Sequence, residues 1–273
     1  GCEERPVVST TVYWCQGCNV PSFNKKCACC GSECKYIATD IRPVFPEEKL
    51  LLELLLEKNP HDFTEKSVWC ENSRYFIDGR AKPISSKTFE TADCEKLKNQ
   101  IEEHNSKISY EIFNQFVQKF CEANKNRLKE LISEAYEFIK ETSEDYPEEN
   151  IILSFSGGKD SSVVADIVTK ALSNSSLVHI YGNTTLEFPQ SLEYAARFRR
   201  NNPYAIFQIA KNEDQDFMKV AEDIGPPARM MRWCCHMFKT GPISRVLNGL
   251  YKNQQVLTFY GIRSAESVSR SKY

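Results

Sequence analysis

The amino-acid sequence predicts an α/β protein whose second half is built on a parallel sheet and whose first half holds smaller modules. Three observations predict this. Short apolar runs alternate with amphipathic helical patterns after residue 146, a glycine-rich loop follows the first run, and six of the 12 cysteines lie between Cys15 and Cys34. Continuous apolar runs are typical of strands covered on both faces, and strands that alternate with helices indicate right-handed parallel connections.

The composition is that of a globular protein without a strong electrostatic bias. The 273 residues are 41% hydrophobic and 26% charged, with a formal net charge of -2, so a polyanion would have to meet a local basic patch. Two arginine groups are candidates, namely Arg197, Arg199 and Arg200, and Arg229 with Arg232. The sequence shows neither an apolar run of about 18 residues nor a signal-peptide pattern, so we expect a cytoplasmic protein without membrane partners.

Changes in composition divide the chain into four regions, which are a cysteine-rich ribbon at 1–44, a small α+β module at 45–92, a helical connector at 93–145 and the α/β domain at 146–273.

The start at Gly1 without a methionine and the end at Tyr273 in charged sequence predict a fragment, truncated at its C-terminus. In the α+β module, the helix from Pro46 to Leu56 is apolar nearly all round and should be buried, although a partner-binding helix has the same pattern.

The connector and the α/β domain carry clear periodic patterns. An apolar stripe at helical spacing predicts core packing in the connector, with the members Phe113, Phe116, Val117, Phe120, Leu128, Leu131, Ile132, Ala135, Tyr136 and Ile139. In the domain, four apolar runs predict strands at 151–155, 177–181, 205–209 and 256–260. In such sheets ligands bind beyond the carboxyl ends of the strands.

Two cysteine pairs in the first region have the spacing of a metal site. Cys15 and Cys18, and Cys27 and Cys30, form paired C-x-x-C knuckles that can present four thiolates to Zn(II), with a redox pair as the alternative. Cys29 or Cys34 could replace one ligand. A closed four-sulfur site has no open coordination position, so its role would be structural. The isolated cysteines are expected to be small buried hydrophobes, namely Cys70, Cys94 and Cys121.

The loop after the first strand of the domain has the chemistry of an anion cradle. It consists of Ser156, Gly157, Gly158, Lys159, Asp160, Ser161 and Ser162. Two glycines let the backbone turn its amides toward a ligand, the following helix adds the positive end of its dipole, and lysine and serine side chains supply further donors. A serine-rich helix cap is the structural alternative. The spacing fits neither the G-x-x-x-x-G-K-S/T loop nor the G-x-G-x-x-G dinucleotide loop.

The loop resembles the S-G-G-x-D-S loop of the adenine-nucleotide α-hydrolase (PP-loop) superfamily, which includes ATP pyrophosphatases and phosphoadenosine phosphosulfate (PAPS) reductases. Three further blocks are similar to the PAPS reductase family, namely 179–189 with its E-F-P turn, 232–242 with Arg-Trp-Cys-Cys, and 261–270 with Gly-x-Arg-x-x-Glu-Ser. The resemblance implies a Rossmann-like, HUP-type sheet. Thr185 stands where the family usually has glycine.

The resemblance also implies roles for residues. The seven loop residues would hold a phosphosulfate or pyrophosphate, and the backbone of Ile180, Tyr181 and Gly182 would meet adenine. Arg263 and Arg270 would face anionic groups, although exposed arginines are often surface ion-pair partners. Lys159, Asp160 and Arg263 are the expected catalytic residues.

A tandem cysteine like Cys234-Cys235 ligates a 4Fe-4S cluster in the adenylylsulfate-reducing branch of the family. Here the remaining ligands would come from outside this chain, and packing beside the nucleotide is the alternative.

The family holds two chemistries, so the sequence predicts a PAPS reductase-family enzyme of sulfur metabolism with one close alternative. A reductase would use PAPS or adenylylsulfate and a thiol reductant such as thioredoxin. The alternative is an adenylating sulfurtransferase that uses ATP and Mg(II), receives sulfur from a cysteine desulfurase, and modifies tRNA or DNA. A second alternative is a non-catalytic nucleotide sensor.

Overall fold

The computed structural model describes residues 11–262 and divides into two compact units, Gly1–Leu131 and Ile132–Tyr273. The first unit opens with a three-stranded antiparallel sheet of β1 (Val12–Cys15), β2 (Val20–Ser22) and β3 (Lys35–Ala38), with β1 in the centre. Val12 and Trp14 are buried on one face of β1, where they pack with Trp69 and Phe76. The cysteine-rich ribbon therefore shares a core with the segment that follows it.

A second antiparallel sheet with one helix completes the module. Its elements are β4 (Arg42–Pro43), α1 (Pro46–Leu55), β5 (Val68–Glu71), β6 (Arg74–Ile77) and β7 (Arg80–Pro83), with the strands in sequence order. Leu50 and Leu52 of α1 are buried, as the apolar pattern predicts. The same helix also buries Lys49 and Glu53, which the pattern did not reveal.

Lys49 and Glu53 hold the loop between α1 and β5. The Lys49 ammonium donates to the carbonyl of Lys66 at 2.7 Å, and the Glu53 carboxylate accepts the backbone amides of His61 and Phe63. Burial lowers the pKa of Lys49 to about 8 and raises the pKa of Glu53. Each buried charged group therefore has backbone partners from one loop, which fixes the path of that loop.

Four helices follow, namely α2 (Ser86–Glu90), α3 (Cys94–His104), α4 (Glu111–Ala123) and α5 (Lys125–Ser143). Phe116 and Phe120 pack against the first sheet, so the predicted stripe contacts a core there. The prediction is wrong at Leu131 and Ile132, which are each 41% exposed. They lie in the turn of α5 at which the two units divide, and the stripe reaches a core again at Ile139.

The isolated cysteines differ in burial. Cys70 is buried in the core of the second sheet, as predicted. The prediction is wrong for Cys94 and Cys121, which are exposed because they lie on the solvent side of α3 and α4.

The second unit is a parallel α/β domain. Its elements are β8 (Ile151–Phe155), α6 (Lys159–Ala171), β9 (Val178–Asn183), α7 (Pro189–Asn201), β10 (Ile206–Lys211), α8 (Phe217–Ile224), α9 (Trp233–Cys235), α10 (Gly241–Leu250) and β11 (Leu257–Phe259). All pairings are parallel, in the order β10-β9-β8-β11. A π-helical turn, His236–Thr240, joins α9 to α10.

Alternate residues of β8 enter two cores, as expected of a strand covered on both faces. Leu153 and Phe155 pack on one face of the sheet with residues of α6 and α7, and Ile152 packs on the other face with residues of α10. This arrangement confirms the predicted α/β class and its Rossmann-like parallel sheet. None of the helices within residues 11–262 combines the length and the apolar character needed to cross a bilayer.

Candidate functional site

Four cysteines of the first unit lie close enough to hold a metal ion. The Sγ atoms of Cys15, Cys18, Cys27 and Cys30 all lie within 4.8 Å of one another. Cys15 Sγ is 3.3 Å from Cys30 Sγ, and Cys18 Sγ is 3.7 Å from Cys27 Sγ. Zn–S bonds of about 2.3 Å in a tetrahedral site separate the sulfur atoms by roughly 3.7 Å, so these thiols fit a zinc ion.

The local backbone explains the convergence of the thiols. The amide of Cys18 donates to Cys15 Sγ at 3.3 Å, and Gly31, at φ +73°, donates to the carbonyl of Cys27 at 2.9 Å. Each C-x-x-C pair is thus a tight knuckle. The neighbouring Cys29 and Cys34 are not part of the group of four, and Cys34 Sγ instead bonds the carbonyl of Ser32.

Electrostatics favour a cation at this group. Burial raises the pKa of Cys15 to about 12 and also raises the pKa of Cys18. The hydroxyl and amide of Ser32 lower the pKa of Cys30 to about 6. Several packed thiols therefore resist ionisation without a cation, and a metal would replace their protons.

The loop between β8 and α6 lies at the carboxyl edge of the parallel sheet. Gly157 adopts φ +74°, a conformation that favours glycine, and Gly158 caps α6 without a side-chain hydrogen bond. Ser156, Gly158 and Lys159 are exposed. The first amides of α6 have no carbonyl partner within the helix, as at every helix start. The loop therefore presents an accessible, electropositive helix terminus.

Serine hydroxyls brace this loop from within. The Ser161 hydroxyl accepts from the amide of Ser156 at 3.2 Å and donates to the carbonyl of Gly158 at 3.0 Å. The Ser162 hydroxyl donates to the same carbonyl at 2.9 Å and accepts from the Tyr194 hydroxyl at 2.8 Å. Two of the serines predicted as ligand donors thus also hold the loop in shape. No sequence pattern indicated Tyr194, which reaches the loop from α7.

The end of β9 lies beside the loop. Phe155, the last residue of β8, pairs with Tyr181, whereas β9 continues to Asn183 alongside β10. The backbone of Gly182 and Asn183 therefore extends past the end of β8 toward the space above the loop. A Cβ on Gly157 would lie 4.0 Å from Cε2 of Tyr181, which shows how closely this strand approaches the loop.

The end of β9 and the turn after it contain two buried polar atoms without hydrogen-bond partners in the described part of the chain. The Glu187 Oε1 atom accepts from the amide and hydroxyl of Thr184, but Oε2 has no partner. The hydroxyl of Tyr181 is also buried and unpartnered, and burial, followed by the charge of Glu187, raises its pKa. Glu187 lies within the quoted family block, yet the sequence assigned it no role.

Thr185, which stands where the family usually has glycine, lies in the turn after β9. It adopts φ +68°, the left-handed conformation in which glycine is common, and its hydroxyl accepts the amide of Phe217 at 3.0 Å. The turn is thereby joined to the start of α8.

Gly261 packs against the first turn of α6. A Cβ at this position would lie 2.8 Å from the carbonyl carbon of Asp160 and 2.9 Å from the amide nitrogen of Ser161. Backbone contact this close admits only glycine. The predicted ligand residues Arg263 and Arg270 follow shortly after and lie outside the described residues.

Cys234 and Cys235 lie in α9, where Cys234 is half-buried and Cys235 exposed. Among residues 11–262, no third metal-ligating side chain joins them. The adjacent Trp233 packs against Phe217 and Phe238. The predicted iron–sulfur cluster at these cysteines stays a prediction.

Comparison with known proteins identifies the second half of the chain. Residues 150–273 match the family model of the phosphoadenosine phosphosulfate reductase domain. This part of the chain is similar to that family, as the resemblance seen in the sequence predicts.

Two uncharacterized proteins of Methanocaldococcus jannaschii are relatives. One is 33% identical over 149 residues, which cover 55% of this chain and 30% of that protein. The other is 28% identical over 158 residues, which cover 57% of this chain and 36% of that protein. The matched part of the chain thus spans about a third of the length of each relative.

Two solved structures are similar to the chain. A PAPS reductase from Candida auris, in a phosphate complex, has a TM-score of 0.34 and 17% identity over 45% of this chain and 59% of its own. An NH3-dependent NAD synthetase from Campylobacter jejuni, in complex with nitrate, has a TM-score of 0.38 and 16% identity over 50% of this chain and 58% of its own.

Replacement of one thiol should remove the metal from the cysteine group. We expect Cys15→Ser to abolish stoichiometric zinc and to destabilise the first unit, because three thiolates leave the tetrahedral site incomplete. Cys29→Ser, an exposed neighbour outside the group, should retain zinc. Elemental analysis of both purified variants measures this, and equal zinc contents would contradict the assignment.

Proposed function

We propose that the PAPS reductase-family domain binds an adenine nucleotide whose anionic tail lies on the loop from Ser156 to Ser162. The accessible helix start behind a left-handed Gly157, at the carboxyl edge of a parallel sheet, is the observation that carries this proposal. Anions bind at such termini because backbone amides and the helix dipole both point at them. The family of the domain supplies the adenylate part of the proposal.

Each part of the site would then have a separate task. The exposed Lys159 ammonium would neutralise the phosphosulfate or pyrophosphate, and Asp160 would orient the ligand or its Mg(II). The backbone of Ile180 to Gly182 would contact adenine. Tyr181 and Glu187 would find partners for their buried oxygen atoms on a bound ligand, which supports a site at this edge. Arg263 and Arg270 are proposed to meet anionic groups.

The chemistry proposed for this site is reductive sulfur transfer. A thiolate would attack the sulfur of PAPS or adenylylsulfate, and the S–O bond would break so that the nucleotide leaves as its phosphate. A second thiol, from the reductant, would then displace sulfite from the S-sulfonated thiol as the two thiols form a disulfide. The chain would contribute charge stabilisation on the leaving phosphate and alignment of the reacting atoms. A thiol reductant would then be the partner, and Cys234 with Cys235 would be two ligands of a 4Fe-4S cluster.

The adenylating alternative has the same loop but a different product. ATP with Mg(II) would activate an oxygen of tRNA or DNA, pyrophosphate would leave, and sulfur from a desulfurase would displace AMP. In either case the four-cysteine group would hold structural Zn(II), since four thiolates leave no open position for a substrate.

Product analysis tests the proposal. We expect purified protein, incubated with thioredoxin and either PAPS or adenylylsulfate, to release sulfite. Pyrophosphate release from ATP and Mg(II) in the presence of bulk tRNA or DNA would favour the adenylating reaction instead. Tight nucleotide binding without any turnover would support the sensor, and absence of binding to all three nucleotides would defeat the proposal.

Removal of the loop lysine should weaken binding of the nucleotide. We expect Lys159→Ala to lose at least about tenfold in affinity, since a hydrogen bond to a charged group contributes roughly 1.5–3 kcal/mol. Lys170→Ala, on the same helix but paired with Asp166, is the matched control and should bind normally. Calorimetric titration with ATP and PAPS compares the variants, and unchanged affinity in Lys159→Ala would remove this residue from the site.

A methyl group at Gly261 should disturb the loop from behind. We expect Gly261→Ala to push the first turn of α6 out of position and to weaken nucleotide binding by roughly tenfold. Gly249→Ala is the control, because a Cβ there has nothing within 4 Å. The same calorimetric titration measures the nucleotide affinity of both variants. Wild-type affinity in Gly261→Ala would show that the contact does not shape the site.

A further inference from the structure

Two histidines of the first unit have buried ring nitrogens without partners. His61 lies in the loop between α1 and β5, and His104 is the last residue of α3. Their ring centroids are 5.8 Å apart, with an interplanar angle of 76°. His61 Nε2 and His104 Nδ1 are buried and form no hydrogen bond with any described group, including each other. Neither histidine belongs to the cysteine group.

Each of the two contacting rings has a buried nitrogen without a partner, and one shared ligand would satisfy both. Buried side-chain nitrogens are nearly always hydrogen-bonded, because an unsatisfied one loses its hydration without replacement. Here the two orphaned atoms belong to the side chain that most often ligates transition metals. A single species between the rings would satisfy both atoms at once.

The ring geometry fits a metal ion as that species. Two imidazoles bound to one ion at about 2.0–2.1 Å place their ring centres on the order of 5–6 Å apart. The observed centroid separation of 5.8 Å lies in this range, and the crossed ring planes avoid a clash between the two ligands. The separation of the rings is therefore one that two ligands of a common ion can have, and it is also that of an edge-to-face ring contact.

Neighbouring groups hold His61 in this position. Its backbone has φ +74°, which is uncommon for residues other than glycine, and its amide donates to Glu53 Oε2 at 2.7 Å. Glu53 is 1% exposed and fixed in α1, so the strained loop is anchored from the core. Strained backbone that the surroundings enforce is typical of functional sites.

The surroundings also suit a cation. The Glu53 carboxylate lies against the loop that carries His61 and supplies negative charge, which the ammonium of Lys49 partly offsets. A small cavity of about 20 Å³, enough for one water molecule, is bordered by His61, Glu53 and Lys49. A water molecule there would lie beside His61.

We propose that His61 and His104 bind one divalent transition-metal ion of the class that prefers imidazole, such as Zn²⁺ or Ni²⁺. The bound ion would join the loop after α1 to the end of α3. This site is independent of the nucleotide loop and of the proposed reaction, because all of its residues belong to the first unit.

The test is a Ni²⁺ titration of untagged full-length protein whose cysteine group has first been loaded with zinc. We expect His61→Gln and His104→Gln each to bind one equivalent of Ni²⁺ less than the parent protein. Lys98→Gln is the matched control, because Lys98 is an exposed residue of α3, the helix that carries His104. It should retain the full stoichiometry.

A second measurement distinguishes loss of metal binding from misfolding of the variants. Because His61 lies in a strained loop, His104→Gln in the helix is the decisive variant, with circular dichroism to establish that it is folded. Ni²⁺ should raise the thermal unfolding midpoint of the parent protein and of Lys98→Gln, but not that of His104→Gln. The same Ni²⁺ stoichiometry in folded His104→Gln as in the parent would overturn the proposal, as would a parent that binds no Ni²⁺.

Discussion

The second unit depends on one constraint, which is that a helix begins directly after a buried parallel strand and leaves its first amides without carbonyl partners. Ser156, Gly158 and Lys159 at this helix start are exposed in the described part of the chain. Gly157 turns the backbone in the left-handed conformation, the Ser161 hydroxyl closes the loop, and Gly261 lets a second segment approach the helix from behind. The amides of Ser156 and Gly158 donate to the hydroxyls of Ser161 and Ser156, so an anion would be met by the amides at the start of α6 and not by the whole loop.

Buried polar groups in the described part of the chain are of two kinds. Lys49 and Glu53 are deeply buried, but each has backbone partners, and they organise a loop without any ligand. Glu187 and His104 are different, because a buried atom of each has no partner among the described groups. Burial alone therefore does not distinguish structural from functional polar residues in this protein. An unsatisfied buried atom leaves a cost that a ligand can remove, but Ser143, Asn150 and Trp233 also carry one and belong to no proposed site, so the second criterion is a nearby group that a ligand would share.

Local patterns predicted the features that depend on neighbours in sequence. The strand from Ile151, the glycine loop and the two C-x-x-C knuckles each rest on a few consecutive residues, and the fold class followed from them. Such patterns do not predict contacts between segments that are distant in the sequence. The Tyr194 hydroxyl reaches Ser162 across 32 positions, and nothing in either local sequence indicates the pair. Leu131 has the spacing of a core residue, yet it is exposed, because helical periodicity specifies a face and not what covers that face.

Thr185 shows how a departure from a family pattern can keep the geometry and add a contact. A residue other than glycine in the left-handed region costs on the order of 1–3 kcal/mol, so the turn needs a compensating interaction. Its hydroxyl provides one by accepting the amide of Phe217 at 3.0 Å, a bond that glycine could not form. Because Thr184 in the same turn binds Glu187, the carboxylate and the start of α8 are connected through adjacent residues. A ligand that contacted Glu187 would therefore contact the turn that holds the start of α8. With glycine at position 185, this turn would lack the side-chain hydrogen bond to α8.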